Sequence, residues 1–259
     1  MGQQTIIAWC KHTFNVAWGC TKVSEGCAHC YAESLSNRYG FSVWGKNGER
    51  RTFGEKHWRE PLGWEAAAHG VGVRAQVFCS SMCDVFEDHP TIARERGKLW
   101  PLIQQTPNLD WLLLTKRPER IAECLPASWG GHGWPNVWLG TSIESEKHIG
   151  RADHLRQIHA VVRFVSAEPL LESIPSLNLD GIDWVIVGGE SGPGYRPMNH
   201  AWAEHLRLRC AESGSAFFFK QSAAARTEMG IELGGKIVRA WPTPRVVKKA
   251  RTGLFEAVR

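Results

Sequence analysis

The 259-residue sequence has no long apolar run and too few cysteines for a disulfide framework. Even its longest apolar runs are short, for example WLLL at residues 111–114, so we expect no segment to cross a bilayer. The first residues, MGQQTIIAWCKHTF, lack the basic start and apolar core of a secretory signal, which favours a cytoplasmic protein. Eight cysteines are far below the density of a disulfide scaffold, and clustered thiols in a reducing compartment more often bind metal or react.

The sequence also lacks a strong charge of either sign. A net charge of +5 is compatible with a nucleic-acid partner but does not require one, because electrostatic steering depends on clustered charge. Hydrophobic residues make up 43% and charged residues 22%, which excludes a disordered chain and is ordinary for a soluble globular enzyme.

Short apolar runs alternate with longer helical stretches, which predicts an α/β fold. The runs are nearly continuous, as is typical of parallel strands covered on both faces, and they recur at the spacing of βαβ units. Strands are predicted at residues 14–18, 75–79, 111–115, 137–141, 162–166, 184–188 and 216–220. Helices are predicted at residues 32–39, 91–105, 144–158 and 200–213.

These elements predict one partial (β/α) TIM-like barrel of about six to seven parallel strands over residues 1–229. Residues 41–74, rich in Trp, Gly, Arg and Glu, do not follow the alternation of predicted strands and helices, which predicts an insertion. Residues 162–188 are poor in helix signals, so one crossover is expected to be a loop. Residues 230–259 predict a basic tail or cap, and their cluster RVVKKAR at 245–251 is typical of a solvated surface.

Chemically reactive residues follow each predicted strand from the second onward. The sequences are CSSMCDVFED, TKRPE, GTSIES, SAEPLL, GGESGPGYRP and KQS, in that order. The carboxyl ends of parallel strands meet at one edge of a sheet or barrel, which is where ligands bind. Six such sequences in register predict a functional site at this edge.

Three cysteines, Cys20, Cys27 and Cys30, lie close together in NVAWGCTKVSEGCAHCYAE without a fourth. A structural zinc site normally takes four ligands in two pairs. Candidate fourth ligands for zinc are His29, His12, Cys10, Cys79 and Cys83. Three thiolates instead suit a four-iron cluster that leaves one iron open, and Gly19 and Gly26 would let the loop fold close to the sulfurs. We favour the iron–sulfur interpretation, with zinc and unliganded thiols as the alternatives.

The motifs together identify a family. GCTKVSEGCAHCYAE, SSMCDVFED, LLTKRP, WLGTSIES, SAEPLL and VIVGGESGPGYRPM resemble a phage-associated three-cysteine-motif family of unknown function. That family is related to radical S-adenosylmethionine (SAM) enzymes of the spore photoproduct lyase type, and the resemblance covers residues 14–221. The usual radical SAM motif is Cys-x3-Cys-x2-Cys with an aromatic residue before the last cysteine. This chain has Cys-x6-Cys-x2-Cys, with His29 before and Tyr31 after the last cysteine.

The resemblance implies a radical SAM-like barrel in which Cys20, Cys27 and Cys30 hold three irons of a [4Fe-4S] cluster. The amino and carboxylate groups of SAM would chelate the fourth iron. An external electron donor would drive reductive cleavage of SAM, giving a radical that abstracts hydrogen from a substrate. Relatedness to a DNA-repair lyase implies a nucleic-acid or nucleotide substrate that is repaired or modified. The lyase, transferase or isomerase class stays open, as does the need for a protein partner.

Residues at the strand ends are expected to bind SAM or act on the substrate. The expected cofactor-binding residues are Thr141, Ser142, Ser166, Glu168, Gly188, Gly189 and Glu190. Cys83, as a hydrogen donor, and Lys220 are the catalytic candidates. Lys116, Arg117, Arg196 and Lys220 are cations that could meet the SAM carboxylate or a phosphate.

Each of these roles has a plainer alternative. The hydroxyls could cap strand ends and the glycines could form a tight turn. The cations could form salt bridges to Glu168, Glu190 or Asp84, and Cys83 could be a buried, inert thiol.

Three functions are therefore consistent with the sequence. The leading hypothesis is a cytoplasmic radical SAM-like enzyme. The second is a zinc- or iron–sulfur-containing nucleic-acid-binding protein without radical chemistry, with Trp and Arg as stacking and phosphate contacts. The third is a metal-independent barrel enzyme with incidental cysteines.

Overall fold

The structure, a computed structural model, describes residues 5–245. Its centre is one sheet of seven parallel strands that pair in chain order. The strands are β1 (His12–Phe14), β2 (Ala75–Cys79), β3 (Leu109–Thr115), β4 (Val137–Ser142), β5 (Arg163–Ala167), β6 (Trp184–Gly188) and β7 (Ala216–Gln221). The helices are α1 (Tyr31–Arg38), α2 (Glu55–Val71), α3 (Pro90–Gln105), α4 (Ile121–Cys124), α5 (Arg151–Arg156) and α6 (His200–Ser213).

The sequential strand order makes the sheet a curled half-barrel. Parallel strands in chain order require every crossover to return on the same side, which covers one face with helices and leaves the other concave. Within residues 5–245, β1 and β7 pair with β2 and β6 but not with each other, so the barrel is open. The predicted partial (β/α) barrel of parallel strands is confirmed.

Alternate residues of each strand face opposite sides of the sheet, and the two sides have separate cores. Val77, Leu139 and Val165 belong to the core that includes residues of α2, α3, α5 and α6. Their neighbours Phe78 and Phe164, together with other even-numbered strand residues, belong to a second core on the concave side, which contains no helix residue. Aromatic side chains therefore fill the concave interior below the carboxyl ends of the strands.

The segment before β1 completes this filling. Trp9 is 3% exposed, and its ring lies 4.6 Å from the Phe78 ring and 6.2 Å from the Trp184 ring. The neighbouring Ala8 backbone N–H donates to Glu228 Oε1 over 3.4 Å, beyond β7. The segment thus reaches across the open side of the half-barrel.

The chain after β7 covers the exposed edge of that strand. The Phe219 N–H donates to the Val238 carbonyl over 2.8 Å, and the Ala240 N–H donates to the Phe217 carbonyl over 2.9 Å. An unpaired edge strand invites association, so this pairing protects the sheet. Of the basic cluster at 245–251, only Arg245 lies inside the described residues, and it pairs with Asp183 at 2.8 Å.

The first strand differs from its predicted position. It ends at Phe14, whereas the sequence analysis placed it at residues 14–18. Val16 and Ala17 are fully buried and apolar, which mimics a strand, but Asn15 intervenes. The Asn15 side chain is also fully buried and accepts the Met82 N–H over 2.7 Å, and the chain leaves the sheet there.

Two helical regions also differ from expectation. Residues 144–158 contain a 3₁₀ turn, Glu146–His148, and the short α5 instead of one long helix, because Gly150 separates them. Residues 41–74 contain the 17-residue α2, which the sequence analysis did not predict. Pro61 and several glycines interrupt the helical spacing of apolar residues in this segment, so the sequence did not indicate a helix. The crossover from β5 to β6 is a loop, as predicted.

No helix within the described residues is both long and apolar enough to cross a membrane.

Candidate functional site

The cysteine loop runs from the end of β1 to the start of α1, at the carboxyl-end rim (the strand ends and the loops that follow them). Cys20, Cys27 and Cys30 are free thiols and all are partly exposed. Cys30 is the N-cap residue directly before α1, and Cys27 ends the 3₁₀ turn Glu25–Cys27. Burial raises the pKa of Cys30, and Cys27 is close enough to raise it further. The 3₁₀ turn and the start of α1 thus place Cys27 and Cys30 three residues apart, between two short helical elements.

Cys20 lies at the other end of the loop, beside Arg117. The Arg117 Nη1 atom is 3.8 Å from the Cys20 sulfur and 2.8 Å from Asp84 Oδ2, and Nη2 donates to the Thr21 carbonyl over 2.7 Å. Thr115, at the end of β3, donates its hydroxyl proton to Asp84. Residues that follow β2 and β3 thus fix the backbone next to Cys20.

A buried ion pair also holds the backbone next to Cys20. Arg50 and Glu87 are 5% and 3% exposed, and Arg50 donates twice to Glu87, over 3.0 and 2.9 Å. Glu87 also accepts the Thr21 N–H over 2.8 Å. Paired Arg and carboxylate forks are short and directional, so this pair fixes the start of the cysteine loop.

Gly19 makes the turn into the loop possible. Its φ is +113°, and a Cβ there would lie 2.2 Å from the Val43 carbonyl oxygen. Neither the backbone conformation nor the space admits a side chain. The glycine before Cys20 is thus explained by the chain's own packing.

Glu144, which follows β4, approaches the loop near Cys27. It is fully buried, and its partners are Lys116 at 2.6 Å, Arg151 at 2.7 Å and the Ser24 hydroxyl at 2.8 Å. Burial acts to raise the pKa of Glu144, but the two cations outweigh burial and the pKa is lowered. The sequence analysis did not identify this residue. Its one signal was its place after a predicted strand, in GTSIES.

Glu190, which follows β6, contacts the loop from the opposite side. His29 Nδ1 lies 2.8 Å from Glu190 Oε2, and Arg196 donates to the same carboxylate through Nε over 3.1 Å. Arg196 Nη1 also donates to the Glu25 carbonyl over 3.1 Å. Burial opposes ionisation, but the Arg196 contacts prevail and the pKa of Glu190 is lowered. His29, which the sequence analysis considered only as a fourth zinc ligand, therefore ties the cysteine loop to the loop after β6.

The predicted cofactor residues divide between the two faces of the sheet. Ser142 and Ser166 have the same strand parity as Trp138 and Phe164, which places them on the concave side. Thr141 has the parity of the helix-facing core, and its hydroxyl donates to the Thr115 carbonyl over 3.0 Å. The structure therefore uses the Thr141 hydroxyl between strands, away from the concave side.

The two predicted glycines have different neighbours. A Cβ on Gly188 would lie 3.2 Å from the Glu168 Cδ atom, so Gly188 borders that carboxylate. A Cβ on Gly189 would lie 2.1 Å from the Ala223 nitrogen, so Gly189 is required by the loop after β7. Its role in approaching a cofactor stays a prediction.

All four predicted rim cations have carboxylate partners. The pairs are Lys116 with Glu144, Arg117 with Asp84, Arg196 with Glu190 and Lys220 with Glu168. The salt-bridge alternative is thus present for each of them. Lys220 lies on β7 and Glu168 directly follows β5, so their pair links two strands that are separated by β6.

Cys83 and Cys79 lie near the end of β2. Cys79 is fully buried and Cys83 packs against the helix-facing core. Burial raises the pKa of each thiol to about 12, which makes both poor nucleophiles at neutral pH. Hydrogen donation by Cys83 stays a prediction.

The thiols of the cysteine loop do not form a preassembled metal site. Among residues 5–245 no three His, Cys, Asp or Glu side chains are gathered closely enough to hold one metal ion. Zinc needs its sulfurs about 2.3 Å from one centre, so no zinc site is preassembled. Two of the five candidate fourth ligands have other partners: His29 contacts Glu190, and the His12 ring stacks on the Trp64 ring with 4.4 Å between their centroids. Cys20, Cys27 and Cys30 are free and partly exposed, and thiolates are the ligand type that an iron–sulfur cluster takes, one per iron.

Comparisons with known proteins identify a family and a solved structure that are similar to this chain. No curated protein matches the sequence. A solved structure of a spore photoproduct lyase mutant, with bound AdoMet and dinucleoside spore photoproduct, has a TM-score of 0.47 and 12% sequence identity. The match covers 79% of this chain and 62% of that chain, so it spans about three fifths of the lyase. Residues 4–253 match the model of a family described as a protein of unknown function, DUF5131. This match covers nearly the whole sequence, and the chain belongs to the DUF5131 family.

Proposed function

We propose that the protein is a radical SAM-type iron–sulfur enzyme that acts on a nucleic-acid or nucleotide substrate. The observation that carries the proposal is the cysteine loop. Three free, partly exposed thiols lie on one loop after the first strand of an open parallel half-barrel, at the edge where such folds bind ligands. The six strand-end motifs that resemble the radical SAM-related family support it further.

In this proposal Cys20, Cys27 and Cys30 hold a [4Fe-4S] cluster, and SAM occupies the concave side above the aromatic core. When bound, the cluster and SAM supply the electron transfer and the radical that abstracts hydrogen. The chain itself binds, orients and excludes water. Ser142 and Ser166 offer hydroxyls on the concave side.

The Glu168 carboxylate, held by Lys220, is placed to accept from an amine or ribose hydroxyl. The pair is mostly buried, with side-chain exposures of 20% and 10%, so a ligand's hydrogen bond there would be only weakly screened by water.

The first test is metal analysis of the protein. Anaerobically reconstituted protein is expected to be brown and to contain about four irons per chain, as three-cysteine ligation of a cubane requires. Adding SAM should perturb the cluster spectrum, and adding reductant should release 5'-deoxyadenosine. A colourless protein that holds one zinc would refute the proposal and favour the nucleic-acid-binding alternative.

Exposed aromatic residues at the rim support a base-containing substrate. Tyr31 follows Cys30 directly, is 49% exposed and donates its hydroxyl proton to the Ser81 carbonyl over 2.9 Å. Tyr195, beside the loop-binding Arg196, is 40% exposed. Aromatic faces of this kind stack on bases regardless of sequence.

A binding assay tests the substrate class. Single-stranded oligonucleotide is expected to bind the reconstituted protein with an affinity that falls as salt rises. Replacing Tyr31 by Ala should weaken binding by about 1–3 kcal/mol, the value of one stacked base. The matched change of Tyr39, which is 63% exposed at the far end of α1, should have a smaller effect. Equal losses at both positions, or binding that is independent of salt, would contradict the assignment.

A further inference from the structure

Glu144 is a buried carboxylate that the proposed cofactor roles do not use. Lys116 and Arg151 approach it from the β3 and α5 sides, at 2.6 and 2.7 Å. Both cations come from outside the cysteine loop. Buried charges cost free energy even when paired, so stability alone is a weak reason for this arrangement.

The third partner of the Glu144 carboxylate belongs to the cysteine loop. The Ser24 hydroxyl donates to Glu144 Oε1 over 2.8 Å, and the same hydroxyl lies 3.7 Å from the Cys27 sulfur. Ser24 has one hydroxyl proton and gives it to Glu144, so its oxygen lone pairs are left for the Cys27 thiol. A continuous hydrogen-bonded path thus joins Glu144 to Cys27 through Ser24.

Gly26 makes a second, independent contact between the loop and Glu144. A Cβ at Gly26 would lie 2.5 Å from both the Cγ and the Oε1 atoms of Glu144. The Cys27 N–H donates to the Ser24 carbonyl over 3.0 Å, which closes the turn over the same carboxylate. The turn that carries Cys27 therefore rests directly on Glu144, and only glycine at position 26 allows this approach.

We propose that Glu144 is a positioning residue for Cys27. Its carboxylate, held in place by Lys116 and Arg151, fixes the turn that carries Cys27 through Ser24 and through contact with Gly26. The thiol is thereby kept at the rim in the place where it ligates metal. The identity of the bound group rests on the proposed function, but the positioning is a property of the metal-free chain and can be measured there.

The decisive measurement is the alkylation rate of each cysteine in metal-free protein, followed by peptide mapping. Ser24→Ala removes the path to Cys27 but leaves the ion pairs of Glu144 intact, so the fold is retained. Cys27 should react about fivefold faster, the factor that one net hydrogen bond contributes to a local opening equilibrium. Cys124 should be unaffected, and Ser213→Ala, a serine at the end of α6, is the matched control. An unchanged Cys27 rate in Ser24→Ala would overturn the proposal.

A second measurement uses iron retention against a chelator after reconstitution. Gly26→Ala should lower iron affinity about tenfold, the size of effect expected when a supporting residue of a metal ligand is disturbed. Gly150→Ala, where a Cβ meets nothing within 4 Å, is the matched control and should bind iron normally. In protein that already carries Glu144→Ala, adding Gly26→Ala should cause no further loss of iron affinity, because the Glu144 side chain no longer occupies the space that the new Cβ needs.

If the losses of iron affinity from Gly26→Ala and Glu144→Ala were additive in the double variant, the proposed role of the direct contact between Gly26 and Glu144 would be wrong. The two measurements also separate this inference from the proposed function. If wild-type protein binds no iron, the proposed function fails, while the alkylation rates still decide whether the path from Glu144 through Ser24 holds Cys27.

Discussion

Replacing Cys27 by Ala is expected to abolish both cluster assembly and SAM cleavage. The substitution leaves two thiols on the loop, and a cubane with an open iron needs three protein ligands. Iron content in the reconstituted variant should fall to background, and release of 5'-deoxyadenosine with reductant should fall below detection. Cys27 is partly exposed and lies outside both cores, so the fold should survive. Thermal unfolding of the metal-free variant checks that point.

The control for this experiment is Cys124→Ala. Cys124 lies in α4, in the helix-facing core and away from the cysteine loop, so its replacement should leave iron content and SAM cleavage intact. Cleavage that persists in Cys27→Ala would show that the ligand assignment is wrong. Loss of SAM cleavage with full retention of iron would show that Cys27 is needed for cleavage but is not an iron ligand.

The second large effect is expected on stability, from the Arg50–Glu87 pair. Glu87→Gln keeps the shape of the side chain but leaves the Arg50 guanidinium buried without its counter-charge. Removing one partner of a buried pair costs about 3–5 kcal/mol, so the free energy of unfolding should fall by that amount. Denaturant unfolding of metal-free protein measures it. Because Arg50 also donates to the Thr21 hydroxyl over 3.1 Å, disturbing its guanidinium should lower iron loading in the same variant.

A matched exposed pair controls for charge alone. Glu55 and Arg59 lie 3.8 Å apart on α2 with side-chain exposures of 91% and 76%. Glu55→Gln should change stability by no more than about 0.5 kcal/mol, because water screens such pairs. Replacing both partners, with Arg50→Met and Glu87→Leu, should cost less than Glu87→Gln alone. Equal effects of Glu87→Gln and Glu55→Gln would contradict the role given to the buried pair.

The barrel was predictable because its strands carry a strong local signal. Runs such as residues 111–115 and 184–188 are continuously apolar, and only strands covered on both faces tolerate that pattern. Because these runs are apolar throughout, the sequence does not show which face of the sheet each strand residue occupies. Thr141 and Ser142 were equally plausible as ligands from sequence, and only the pairing of β4 shows that Ser142 is on the concave side.

Elements without a clean local signal were missed or misplaced. Pro61 and the glycines around it weaken the helical pattern of α2, yet Trp64 and Ala68 anchor that helix in the core. Burial of these side chains outweighs a poor intrinsic preference. Val16 and Ala17 gave the opposite error, since burial in a loop produced the composition of a strand.

The sequence by itself determined the parallel half-barrel, the polar residues at the carboxyl ends of its strands and the three thiols on the loop after β1, because each depends on local pattern and spacing. Tertiary structure alone decided what holds that loop. Ser24 meets Glu144 and His29 meets Glu190, pairs separated by 120 and 161 residues. No local preference encodes such pairs, since a buried carboxylate finds its partners only after the strands that carry them are side by side. The cysteine spacing is thus visible in the sequence, whereas the position of the cysteine loop is fixed by contacts that form only in the folded protein.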